Sequence, residues 1–162
     1  MNKPVDLLVG RLKEAQQSLL KSLDGIPDSE LRIPPSDGEW SVAQVCAHVV
    51  EMQLNWLKRA ERISELPDVG RNETERKRRL SEVTDHAGDD IDQVTRRIHG
   101  ANEEALRILG GLTPAHLELE GIRGGEPITA RHLVENSVIK HIHTHAEQIN
   151  ESRRTVHGRT QA

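Results

Sequence analysis

The stretch "VIKHIHTHAEQI", Val138 to Ile149, carries three histidines at alternate positions: His141, His143 and His145. Flanking residues follow a helical rather than a strand period, and a helix turns about 100° per residue. His141 and His145, four apart, therefore stack on one side, while His143 points roughly 200° away, toward solvent. A third imidazole joins them from elsewhere in the chain. His48 lies between Val45 and Met52 at spacings of three and four, on the apolar side of its own segment. A lone histidine on such a face is usually a hydrogen-bonded core residue. Three aimed at one interior are different, because each unpartnered buried nitrogen costs on the order of 1–3 kcal/mol. A shared divalent ion would satisfy all of them at once, and pairs at i and i+4 match the way helices hold metals.

Three neutral nitrogen ligands leave a coordination position open, as in catalytic zinc sites, and leave the charge of the ion largely undiminished. Such an ion would acidify a bound water or thiol. Zinc is the default, with nickel or iron able to accept the same ligands. Glu51, three residues beyond His48, is a candidate general base near the open position; orientation of a ligand and a plain inter-helix ion pair are its other readings. Gln148, three residues beyond His145, can hydrogen-bond the far nitrogen of a ligating ring. Asn136 and Ser137 are weaker candidates for the same work. Cys46, two residues before His48, points away and reads as a small packing residue. His86, His99, His116, His132 and His157 lie off these stripes and receive no role.

Four amphipathic segments must position this chemistry. Leu8, Leu12, Ala15, Leu19 and Leu23 form the first stripe. The second opens at "EWSVAQV", where Ser41 and Gln44 have the spacing of a capping box, and runs through Val49, Met52 and Trp56, ending before Pro67. Ile91, Val94, Ile98, Ala101, Ala105 and Ile108 make the third, closed by Gly110 and Gly111. The fourth starts at a Thr129 cap and passes through Val134, Val138, His141, His145 and Gln148 or Ile149. With nothing strand-like between them, the four predict an all-α antiparallel four-helix bundle with long connectors, a single domain over 1–162 whose last residues, about 153–162, form a flexible tail. "DGIPDSELRIPPSDGE" and "GGLTPAHLELEGIRGGEP" share Leu-x-Gly-Ile/Leu followed by a Leu five residues on, a weak internal repeat or a chance likeness of loops. "GRNETERKRRLSE" reads as a solvated connector or short helix.

Bulk properties narrow the function. A net charge of −4 and a pI near 6.1 give no electrostatic reason for a nucleic-acid or acidic-membrane partner. Two Trp with no Phe or Tyr leave no platform for stacking bases. One cysteine excludes an intrachain disulfide and fits a reducing compartment. The N-terminal "MNKPVDLLVGRLKEAQQ" has no apolar run suited to a signal peptide or membrane span, so a cytoplasmic location is expected.

"EWSVAQVCAHVVEMQLNWL" (Glu39 to Leu57) and "HIHTHAEQI" (His141 to Ile149) together resemble the DinB/YfiT-like family. The likeness lies in the Trp-Ser start with a histidine seven residues after the Ser, and in His-x3-His followed by Ala-x-Gln-Ile. The resemblance implies a four-helix, often dimeric, bacterial protein that binds a divalent metal through three histidines, which map onto His48, His141 and His145. It also implies metal-dependent hydrolase or thiol S-transferase chemistry of the bacillithiol or mycothiol type on a small-molecule electrophile. A non-catalytic, stress-related bundle or dimerisation module, with structural metal or none, is the competing expectation.

Overall fold

The computed structural model describes residues 2–162. Four long rods make the bundle: α1 (Lys3–Ser22), α3 (Val42–Glu61), α5 (Ile91–Gly110) and a last rod. This last rod comprises α7 (Ala130–His132), a π-helical segment (Leu133–Lys140) and α8 (His141–Thr160). Short helices α2 (Asp28–Leu31) and α6 (Pro114–Leu117) lie in the two turn-rich connectors, and α4 (Glu73–Asp85) lies between α3 and α5. The Ser41–Gln44 capping box forms as the spacing predicts, with both reciprocal hydrogen bonds present. Asn72–Glu75 and Asp90–Gln93 cap α4 and α5 in the same way.

The rods do not pack in chain order. α1 lies against α5 and the last rod, and α3 lies against the same two, so α1 and α3 sit diagonally. Asn2, at the start of α1, hydrogen-bonds the Leu112 carbonyl just beyond α5, making those two antiparallel. Arg11 pairs with Glu135 and Arg153 reaches the Ser22 carbonyl, so α1 and the last rod run parallel. The end of α3 meets α6 and α7, since His116 contacts the Ala60 carbonyl, whereas its middle meets α8. Helices joined by a turn-rich connector thus run opposite to each other and sit diagonally, while α3 and α5 run parallel. Diagonal crossings explain why those two connectors are long. Each contains a four-residue helix ending on a fully buried leucine, Leu31 or Leu117, at the same offset from Ile26 or Leu112. The repeat seen in the sequence therefore has a structural counterpart.

Three expectations need correction. The second connector is not free of strands: β1 (Glu120–Arg123) and β2 (Glu126–Thr129) form an antiparallel hairpin. Gly124 and Gly125 make its two-residue turn, both with positive φ (58° and 87°), as type I′ geometry demands. Gly121 lets β1 approach Ile63 and Val69, where an added Cβ would lie 2.8 Å from the Ile63 side chain.

The apolar stripe of the last rod also differs. It runs through Val134, Val138, Ile142, Ala146 and Ile149 rather than through His141 and His145. A π-helix carries more residues per turn than an α-helix. Across Leu133–Lys140 the phase therefore slips by about one residue, and the two histidines move to the edge of the stripe. Finally, residues 153–160 are helical. Val156 is buried, His157 bonds the Glu30 carboxylate, and Arg159 donates to the Pro35 carbonyl. Those contacts dock the end of α8 onto the first connector where a free tail was expected.

Candidate metal centre

His48, on the middle of α3, faces the first turns of α8. Its ring centroid lies 4.8 Å from that of His145 and 5.8 Å from that of His141, and the two α8 rings stack at 4.7 Å. One ligand nitrogen from each residue falls within 4.8 Å of the others. Nitrogens sharing a tetrahedral zinc ion stand about 3.4 Å apart, so the rings need draw in by only about 1.4 Å at most. His143 is not in the cluster. It lines a shallow groove on another face with Arg11, Glu14 and Lys140.

The hydrogen bonding of the rings tests the fit. His145 Nδ1 contacts Gln148 Oε1 at 2.7 Å, which orients the ring and leaves Nε2 for the cluster. His145 Nε2 and His48 Nδ1 are both buried with no hydrogen-bond partner. His141 is held through the backbone of Ser137, one turn earlier. Unpartnered buried nitrogens on His48 and His145, with both α8 rings steered by a neighbour, are what a donor set for a divalent ion requires.

Electrostatics keeps these rings neutral. Burial, reinforced by the neighbouring His145 and His141, pushes the His48 pKa down to about 3. Burial also lowers His145, against the opposing hydrogen bond from Gln148, and lowers His141, against the bond to Ser137. Arg79 and Arg71 reinforce the shift at His48 and His141. Neutral imidazoles offer lone pairs without competition from protons, the form that metals bind.

Glu51 lines the same cleft as His48 and His141. Both of its carboxylate oxygens accept from Arg71, at 2.8 and 2.9 Å, and both side chains are largely buried. A carboxylate gripped on both oxygens by a guanidinium is a poor base, and its geometry is that of the ion-pair reading. Asn136 bonds back to His132 and does not reach the cluster rings. Cys46 is buried away from the site, and burial pushes its thiol up to about 12, leaving it inert. Sequence reasoning missed α4 and the hairpin as walls of the cleft. The "NETE" at Asn72–Glu75 has a capping-box spacing that would have marked the start of α4.

A four-helix bundle with diagonal connectors and an open three-histidine cluster defines the class of protein. The DinB superfamily model matches residues 11–149, and the chain belongs to that superfamily. Among solved structures, it resembles YfiT from Bacillus subtilis, described as a probable metal-dependent hydrolase with an unusual four-helix bundle topology. That match has a TM-score of 0.72 and 21% identity, covering 95% of this chain and 88% of the other. It also resembles the mycothiol-dependent maleylpyruvate isomerase, with a TM-score of 0.73 and 11% identity over 90% of this chain, which spans 60% of the isomerase. These likenesses show the fold. Comparison with curated protein sequences gives no match. No helix among the described residues is long and apolar enough to cross a membrane.

Proposed function

We propose that the protein binds one divalent ion, zinc or nickel, through His48, His141 and His145, and uses it as an enzyme acting on a small-molecule electrophile. The observation that carries this reading is the pair of buried, unpartnered nitrogens on His48 and His145. When bound, the ion would supply positive charge that acidifies a water or a low-molecular-weight thiol at its open position. The chain's own residues do the rest. Gln148 and the Ser137 backbone orient the α8 rings, and Trp40, with its ring centroid 5.2 Å from that of His48, shields one side of the site. Glu51 holds Arg71 in place instead of taking a proton. Hydrolysis and thiol transfer both fit such a site, and the family relationship supports either. A homodimer in a reducing, cytoplasmic setting belongs to the same proposal, supported by the family resemblance and the single cysteine.

Elemental analysis of protein purified without a histidine tag tests the proposal. The expected result is near one equivalent of zinc or nickel, falling below a tenth of that in His145→Ala while the helical circular dichroism persists. Metal-free protein with unchanged melting in chelator would favour the competing reading, a non-catalytic bundle.

A further inference from the structure

The cleft beside the histidines has a volume of ≈ 1330 Å³ and is bounded by α3, the loop before α4, α4 and the hairpin. Nine basic and four acidic side chains line it, in a chain whose net charge is −4. The basic character of this one surface is thus opposite to that of the molecule. Most of its inner guanidiniums are already committed. Arg71 is clamped by Glu51, Arg59 pairs with Glu75 and donates to the Val69 and Gly70 carbonyls, and Arg97 pairs with Glu82 and Asp89.

Arg79, on the cleft face of α4, is different. Its Nε is buried without a hydrogen-bond partner, and no acidic side chain pairs with it among the described residues. A guanidinium has five donors and no acceptor, and it cannot shed its charge as a lysine can. Leaving such a donor dry beside other cations is costly unless an anion completes it. Arg123, from β1, stands across the opening over the Trp56 ring at 4.7 Å, and among the described residues its only side-chain hydrogen bond is a long one, 3.4 Å, to Ser137 Oγ. Trp56 thereby forms a flat floor faced by cations.

We propose that the cleft takes a small organic anion whose carboxylate or phosphate is anchored by Arg79, with Arg123 closing over it from the hairpin. The planar fork of Arg79 matches either oxyanion in a bidentate way. The rest of the molecule then extends along Trp56 toward His48 and His141. Placing its reactive end at a metal rests on the function proposed above; the anion site itself does not.

Calorimetric titration tests the two separately, using succinate, its dimethyl ester and inorganic phosphate against wild type, Arg79→Met, Arg79→Lys and His145→Ala, each assayed for metal. Methionine and lysine are both good helix formers, so α4 is preserved. Succinate, phosphate or both should bind wild type, with the ester at least tenfold weaker. Affinity should fall tenfold or more in Arg79→Met and less in Arg79→Lys, with metal content unchanged in both. Whichever of succinate and phosphate binds more tightly identifies the oxyanion. Arg79-dependent binding in protein that takes up no metal would uphold the anion site and sink the metal proposal. Metal-loaded wild type that binds neither anion, or binds them as well after Arg79→Met, would overturn the anion site and leave the metal proposal standing.

Discussion

Two clusters of polar side chains interrupt the apolar faces of these helices, and they have been settled in opposite ways. In the bundle centre, Gln16 of α1, Gln53 of α3 and Asn102 of α5 close on one another. Gln53 Nε2 donates to Asn102 Oδ1 at 3.0 Å, while Gln16 Nε2 reaches Gln53 Oε1 at 3.4 Å and the Asn102 carbonyl at 3.3 Å. Toward the middle of α3, His48 faces His141 and His145 with no hydrogen bond between the rings, leaving two buried nitrogens unpartnered. The first cluster is finished by the chain itself and ties three rods together. The second is left unfinished by the chain's own groups. Polarity on a buried face is therefore not the mark of a site; polarity left unsatisfied is.

The contrast is sharpest in paired leucine substitutions. Gln53→Leu strands the Asn102 side-chain oxygen in the core and leaves Gln16 Nε2 only the Asn102 backbone carbonyl, and should cost about 1–3 kcal/mol in urea unfolding. His48→Leu, measured in metal-free protein, removes a nitrogen that has no partner to lose. It should cost less than about 0.5 kcal/mol or stabilise the fold. Equal losses at the two positions would show that His48 is as well satisfied as Gln53.

The helices that carry both clusters were legible because burial imposes a 3.6-residue period. Each residue of the Leu8–Leu23 stripe is buried, and Ser41 and Thr129 cap where their spacing puts them. His48, His141 and His145 were legible for the same reason, as polar residues with apolar neighbours in register. Their place at the stripe edge was not, because a π-helical turn is set by tertiary packing and leaves no periodic mark in eight residues. The hairpin was hidden by Pro127, which argues against a strand, and by strands of only four residues with one isoleucine each. The Gly-Gly pair was its one visible signal. The arginine-rich wall escaped notice because α4 buries little but Val83, so charge interleaved with charge looked like a solvated connector or short helix with no part in a site.

A second difference between the clusters appears with pH. Amides do not titrate, so the central network should hold its contribution at any pH. Histidines buried in neutral form do not. The folded pKa of His48 is about 3 against 6.5 for a solvated imidazole, so between those values the unfolded chain binds a proton that the folded chain lacks. Stability therefore rises with pH through that window and is lost on acidification below about 6.5. At pH 5 the loss from His48 alone is about 2 kcal/mol, or roughly 4–8 °C in Tm for a chain of this size, with His141 and His145 acting in the same direction. Calorimetric scans of metal-free protein between pH 7 and 5 should show this fall, and His48→Leu should reduce it. A flat profile would mean that the rings already carry protons in the folded state.

The smallest expected effect separates the cluster from its imitation in the sequence. His143 sits between two ring donors and has the same chemistry, yet it points into a different groove, beside Arg11, Glu14 and Lys140. On a helix, a two-residue step turns a side chain about 200° away, and no rotamer brings the His143 ring back across α8 to His48. His143→Ala should therefore leave metal content within error of wild type and stability within about 0.5 kcal/mol, as for other surface substitutions. Metal loss comparable to that of His145→Ala would mean that α8 presents another face to α3. The contrast between a satisfied core and an unsatisfied cleft would then have been drawn around the wrong residues.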